Sequence, residues 1–225
     1  MKMKQIVACA AVLAASSVAA PAFAGATGNV GAYSEYMFRG VEQSGGAAVQ
    51  GGLDYAHDSG VYVGTWLSNT SFLGTNGAVV SYETDVYAGY ATKIGDLGLD
   101  VGALYYYYTD DSKLNTIEGY LGGSYGPISV KGFYTTDYFG TDEDGIYVVG
   151  TGTFPLSSSV NLVASVGSSS GDGVKALFGE SYIDYGVGLT KSIDGGFTFS
   201  LSALGTDIDG DKTKAVLGLK KVFDL

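Results

Sequence analysis

The chain is nearly devoid of cysteine, histidine and proline, with one Cys, one His and three Pro in 225 residues. Cys9 falls in a segment expected to be removed, so the remainder has no disulfide framework and no thiol chemistry. His57 sits in a His57-Asp58-Ser59-Gly60 turn, which leaves imidazole-based catalysis without a candidate constellation. Basic residues are also scarce: 12 Lys and Arg stand against 23 Asp and Glu. No basic patch is available to neutralise phosphates, and this argues against nucleic acid as a partner. Beyond the first 24 residues no apolar run reaches the roughly 18 residues that a transmembrane helix needs.

Those first 24 residues read as a secretory signal peptide. Lys2 and Lys4 give a basic start, Ile6 to Ala20 is an apolar run, and Ala22-Phe23-Ala24 fits a small-x-small cleavage site before Gly25. Removing Lys2 and Lys4 leaves 10 basic and 23 acidic residues in the expected mature chain, 25–225, a net charge of −13.

What is abundant is glycine and tyrosine, 36 and 18 residues, and disordered chains are poor in aromatics. The residues also alternate. In the second segment Val49, Gly51, Leu53 and Tyr55 oppose Gln50, Gly52, Asp54 and Ala56. Strand side chains change face with a period of two, so each such segment has an apolar face and a polar, small-residue face. About twelve segments share the pattern, beginning with 29–39, 47–56, 61–69 and 81–91 and ending with 214–225. In the first, Val30, Ala32, Ser34, Tyr36 and Phe38 form the apolar parity.

Connections alternate too. Short turns at 57–60, 92–96, 126–127, 155–159 and 193–196 interleave with longer polar stretches near 40–46, 70–80, 109–115, 138–145, 169–180 and 207–213. Aromatics of the apolar parity cluster at both strand ends: Tyr36, Phe38, Tyr82, Tyr105, Tyr107 and Tyr134 toward the long loops, and Tyr55, Tyr90, Tyr125, Phe154, Phe197 and Phe223 toward the short turns. Lys221, close to a strand end, is the charge found on this face. Two aromatic girdles around an uncharged apolar band predict an all-β fold: a transmembrane antiparallel up-and-down β-barrel of about 12 strands. A soluble sandwich would alternate as well, but has no reason to place aromatics at both ends of its strands. The ending L-G-L-K-K-V-F-D-L resembles the terminal signal that such barrels show to the assembly machinery, with Phe223 third from the end.

Apparent catalytic motifs dissolve on inspection. Gly167-x-Ser169-x-Gly171 has the letters of a nucleophile elbow, and Gly171-x-Gly173-x-x-Ala176 those of a dinucleotide loop, without the strand–helix context either requires. Asp207-x-Asp209-x-Asp211 starts like a calcium loop, yet Gly218 occupies the position of the bidentate Glu. No metal, cofactor or enzyme activity is expected. The informative set is the polar parity: Glu35, Asp54, Glu83, Asp85, Asp100, Glu118, Asp137 and Asp184, with Arg39 and Lys131, are the candidate pore-lining residues. Eight acids against two bases would favour cations in a water-filled lumen. The alternative is that they pair within a narrow, plugged interior, since about twelve strands is a width compatible with either state.

The stretches A-Y-S-E-Y-M-F-R-G-V-E-Q-S, A-V-Q-G-G-L-D-Y and G-V-Y-V-G-T-W-L-S-N resemble TorF-type porins, a family of conserved bacterial outer-membrane proteins of unknown function. The likeness is clearest over Tyr33 to Asn69 and around Glu83 to Tyr90. It implies a barrel in the outer membrane of a Gram-negative bacterium, in contact with outer-membrane lipid and the barrel-assembly machinery. It supplies no catalytic or substrate residues. The expected function is passive diffusion of small hydrophilic solutes with a preference for cations, with self-association left open. The rival expectation is a closed barrel that acts in structure, adhesion or surface binding through its acidic loops.

Overall fold

Period-two alternation is what a barrel wall needs, because each strand must offer one face to the interior and the other to the surroundings. The computed structural model describes residues 25–225, and the expected signal peptide lies outside the described residues. In chain order the elements are β1 (Gly25–Tyr33), β2 (Met37–Phe38), β3 (Val41–Glu42), β4 (Ala48–Ala56), β5 (Val61–Leu73), β6 (Val79–Ile94), β7 (Leu97–Tyr107), β8 (Thr116–Tyr125), β9 (Ile128–Thr135), β10 (Gly145–Pro155), β11 (Val160–Ser170), α1 (Asp172–Phe178), β12 (Tyr182–Ile193), β13 (Phe197–Thr206) and β14 (Lys214–Asp224). Among the described residues, twelve strands close into one antiparallel barrel in which β1 pairs with both β4 and β14. Closure pairs every strand edge, including Gly28 with Phe223 and Ala32 with Leu219.

The apolar parity faces outward. Leu53, Val101, Leu121, Val187 and Leu217 are each about half exposed or more, far above what a soluble core would leave in contact with solvent. Tyr82, Tyr107 and Tyr134 ring the long-loop end, and Tyr55, Tyr90, Tyr125, Phe154, Phe197 and Phe223 ring the short-turn end, all exposed. Lys221 lies at that second end, where its amine donates to the Gly195 carbonyl at 2.5 Å and sits 4.3 Å from the Phe197 ring centroid. β12 runs beyond its expected end, so Lys191 joins the outward parity there as a second charge.

Three expectations change. The first strand stops at Tyr33 rather than residue 39, and Tyr36 and Phe38 leave the outer girdle for the interior. The expected 70–80 loop shrinks to residues 74–78, because β5 continues through a bulge between Asn69 and Phe72 and β6 begins at Val79. The Ser/Gly-rich 169–180 stretch contains α1 directly after β11, so a strand–helix step is present at the Gly167–Ala176 motifs after all, with His57 far off in a short turn and no βαβ unit around it among the described residues. Asp172 sits favourably in its first turn and Gly179, at φ 83°, ends it in the left-handed conformation. Val174 anchors this short helix against Tyr138 and Tyr182.

Outer loops are latched to one another. One Asp111 oxygen accepts from the Thr75 amide at 2.6 Å and the Thr75 hydroxyl at 2.7 Å, and the other from the Lys113 amide at 3.2 Å. The Thr75 hydroxyl, followed by these amides, holds the Asp111 carboxyl below its usual range. A lowered folded-state pKa stabilises the latch above the ordinary carboxylate range and is lost as pH falls through the folded value. Asp111→Asn is therefore expected to lower the amide protection factors at residues 74–78 at neutral pH, while lowering the pH to about 5 leaves those of the parent unchanged.

Candidate functional site

The segment between β1 and β4 does not extend outward as a surface loop. It folds into the barrel as the β2–β3 hairpin, with Met37 opposite Glu42 and Phe38 opposite Val41. Arg39 and Gly40 form its tip with φ of 48° and 78°, the two consecutive positive values that a tight two-residue hairpin turn favours. A non-glycine residue held at positive φ is uncommon and points to strong constraint from its surroundings. The close approach is equally restrictive at Gly40, where a Cβ would fall 2.5 Å from Thr206 Cγ2 and 2.8 Å from the Gly205 carbonyl oxygen.

Arg39 is 1% exposed, and its Nη2 donates to Glu118 of β8 at 2.6 Å. Its guanidinium lies 4.7, 5.4 and 4.4 Å from the ring centroids of Phe38, Phe133 and Tyr147. Each such contact contributes on the order of 1–2 kcal/mol when desolvated. The cation is therefore held at its edge by a carboxylate and against its faces by rings. Phe139, from the loop after β9, packs on Phe38, Tyr106 and Tyr138 at 5.9, 5.3 and 4.8 Å between centroids. Two long loops thus close over one another at the same end of the barrel.

Below and beside the tip, tyrosines meet acids. Glu83 accepts from Tyr36 at 2.8 Å and Tyr108 at 2.7 Å, while Glu118 also accepts from Tyr106 at 2.9 Å. Asp100 accepts from Tyr62 and from Lys131, both at 2.6 Å, and Asp54 accepts from Tyr87. Hydrogen bonds to ionised groups stabilise by about 1.5–3 kcal/mol, which is how a barrel holds carboxylates away from bulk water. Access differs along the axis. Asp100 and Lys131 retain 16% and 13% side-chain exposure, whereas Glu83 and Asp85 retain 2% each. The interior is thus wetter toward the short turns and sealed toward the long loops. On β11 to β14 many inward residues are small, among them Gly167, Ser169, Gly186, Gly188, Ser200, Ser202 and Gly218, interspersed with Val163, Tyr182, Asp184, Leu204 and Val216.

A family model described as "Bacterial protein of unknown function (Gcw_chp)" matches residues 17–224. The chain belongs to that family. Family membership spans the whole barrel and carries no assigned activity. Among curated proteins none matches the chain. Among solved structures it is similar to the KdgM porin, at 12% identity and a TM-score of 0.60 over 88% of this chain and 99% of that one. The NanC porin is similar at 12% identity and a TM-score of 0.59, over 89% and 100% of the two chains. At such identities the likeness is one of fold, and it is the fold of outer-membrane porins. The resemblance noted in the sequence thus extends to a porin fold and a family of unknown function, without the TorF-type name.

The ten candidate residues separate into three groups. Asp54, Glu83, Asp85, Asp100, Glu118, Lys131 and Asp184 lie on wall strands with inward parity. Arg39 lies inside the barrel but on the hairpin, so it does not share a strand face with Glu35 as the alternation implied. Glu35 and Asp137 belong to loops. Glu35 accepts from Lys214 at 3.3 Å, and Asp137 accepts from the Asp142 amide at 2.9 Å. Alternation was carried past the end of a strand in both cases. Sequence reasoning missed the aromatic half of the interior, formed by Tyr62, Tyr106, Tyr120, Phe133 and Tyr147. The run Tyr105-Tyr106-Tyr107-Tyr108 held a signal, since four consecutive tyrosines in a strand must place two inside.

Proposed function

We propose that the protein is an outer-membrane channel of Gram-negative bacteria for small hydrophilic solutes, with cations preferred and the β2–β3 hairpin as its constriction. The observation that carries the reading is the closed barrel whose wall strands bring six acids inward, Asp54, Glu83, Asp85, Asp100, Glu118 and Asp184, against Arg39 and Lys131 in the lumen, with Lys93 and Lys220 near the short-turn mouth and Lys214 held at the long-loop end by Glu35 and Glu42. Acidic walls in a confined, low-dielectric passage enrich cations and repel anions. The KdgM porin has been solved in complex with oligogalacturonate, a polyanion, and the acidic interior here favours the opposite sign of solute. Contacts with lipid follow from the apolar outer belt, and insertion by the assembly machinery accords with Phe223 near the C-terminus.

Planar-bilayer recording of the refolded 25–225 chain tests this. Discrete steps with a cation-biased reversal potential in a salt gradient are expected. Asp54→Asn with Asp85→Asn should move that potential toward zero. Replacing residues 35–46 with a short Gly/Ser turn should raise the unitary conductance several-fold, because the hairpin crosses the lumen. An anion-biased potential, or steps that ignore hairpin removal, would overturn the assignment.

The buried aromatic cluster around Phe38, Tyr106 and Phe139 favours a second reading, a closed barrel working through its outer loops. A folded barrel that stays silent with and without the hairpin would select it.

A further inference from the structure

A cavity beside the hairpin tip is lined by Met37, Arg39, Tyr147, Thr151, Asp184 and Leu204, among others. Two charges of opposite sign are left incompletely satisfied at its wall. Arg39 spends Nη2 on Glu118, while its buried Nε and Nη1 make no well-formed hydrogen bond among the described residues, with the Tyr138 hydroxyl as the other polar group beside the guanidinium. Asp184 accepts from the Tyr147 hydroxyl at 3.2 Å through Oδ1, and its buried Oδ2 has none. Leaving buried charged groups short of partners is costly, and natural interiors rarely do so without a role. Gly167 lets these two side chains lie against the wall, since a Cβ there would lie 2.3 Å from Asp184 Oδ2 and 2.4 Å from the Tyr147 hydroxyl.

The geometry points to a binding site for a small zwitterion, with Arg39 donating to its carboxylate and Asp184 accepting from its ammonium. The local charges decide the class. Arg39, Glu118 and Asp184 sum to −1, so a simple anion meets two carboxylates for one guanidinium. A simple cation leaves the Arg39 donors unanswered and faces their charge. A molecule that carries both signs a few ångströms apart answers both groups and brings no net charge into the barrel. The cavity, about 20 Å³, holds roughly a single water as it stands, so only the smallest members of the class enter, and they do so as its wall yields. Met37 on its wall is an unbranched thioether that repacks readily to admit them. As a statement about transported solute this rests on the channel reading, and as a statement about binding it does not.

Saturation-transfer NMR on the refolded chain in micelles, with glycine as the probe and acetate and methylammonium as half-probes, tests the site. Glycine is expected to receive saturation, and each half-probe to bind at least about tenfold more weakly, because each forgoes one charged hydrogen bond. Asp184→Asn, which keeps shape, should weaken glycine about tenfold or more, and Thr151→Leu should exclude it by filling the cavity. Circular dichroism and heat-modifiable gel mobility report whether each variant is a folded barrel. The proposal is overturned if glycine receives no saturation from the folded parent, if acetate binds as well as glycine, or if Asp184→Asn leaves glycine binding unchanged. A barrel that binds glycine yet passes no current keeps the site and removes the channel reading. One that conducts without binding glycine does the reverse.

Discussion

Arg39→Met is expected to destabilise the docked hairpin by about 3–5 kcal/mol, because it strands the Glu118 carboxylate in an interior sealed from solvent. Glu118 is 1% exposed and would keep only the Tyr106 hydroxyl as a polar partner among those seen here. The lost cation–π contacts to Phe38, Phe133 and Tyr147 add to the effect. The wall strands pair independently of the hairpin, so the barrel is expected to persist while the hairpin leaves it. Trypsin does not cut at methionine, so the readouts are hydrogen exchange at residues 36–43 and unitary conductance, and both should rise. The double variant Arg39→Met, Glu118→Leu separates the charge effect from the packing effect. Removing both charges should restore most of the docking, since an apolar pair of similar volume is often as stable as a buried ion pair. Protected amides in the single variant would show that aromatic packing alone holds the hairpin, and Arg39 would lose its role as the anchor.

The second large effect concerns the outer face. Leu121 lies in the middle of β8, with Val101 and Gly132 beside it on the flanking strands, and is 65% exposed. Leu121→Lys is expected to cost about 2–4 kcal/mol in a bilayer, because a lysine at the midplane has neither water nor a counter-charge. The same change at Ser157, in the turn between β10 and β11, should cost near zero. Reversible denaturant unfolding from lipid vesicles measures both. Equal, negligible costs at the two positions would mean that the belt is not embedded in lipid, and the outer-membrane assignment would fall with it.

Alternation alone carried most of the wall. Val49, Leu53, Val86, Val101, Leu121, Val187 and Leu217 face outward as their parity required, because strand geometry leaves a side chain only two directions. The girdle tyrosines other than Tyr36, and the Lys221 position, were legible for the same reason. Strand ends were not, because where a strand stops depends on how long its neighbours keep pairing with it. β1 stops at Tyr33, opposite Ala48 where β4 begins, so it loses one partner there although β14 runs on to Lys214. The next residues had the same period-two pattern and could have continued outward.

What sent them inward is a set of contacts that no local pattern encodes. Arg39 meets Glu118 79 positions along the chain, and Tyr36 meets Glu83 47 positions along it. Sequence by itself determined the barrel, the sign of its charge and the identity of its outer face, because these follow from composition and a period of two. Only the tertiary structure decided that the lumen is crossed by a hairpin, that half its lining is aromatic, and that Arg39 and Asp184 share a cavity. Those outcomes depend on which distant strands closure brings face to face, and a one-dimensional pattern does not carry that information.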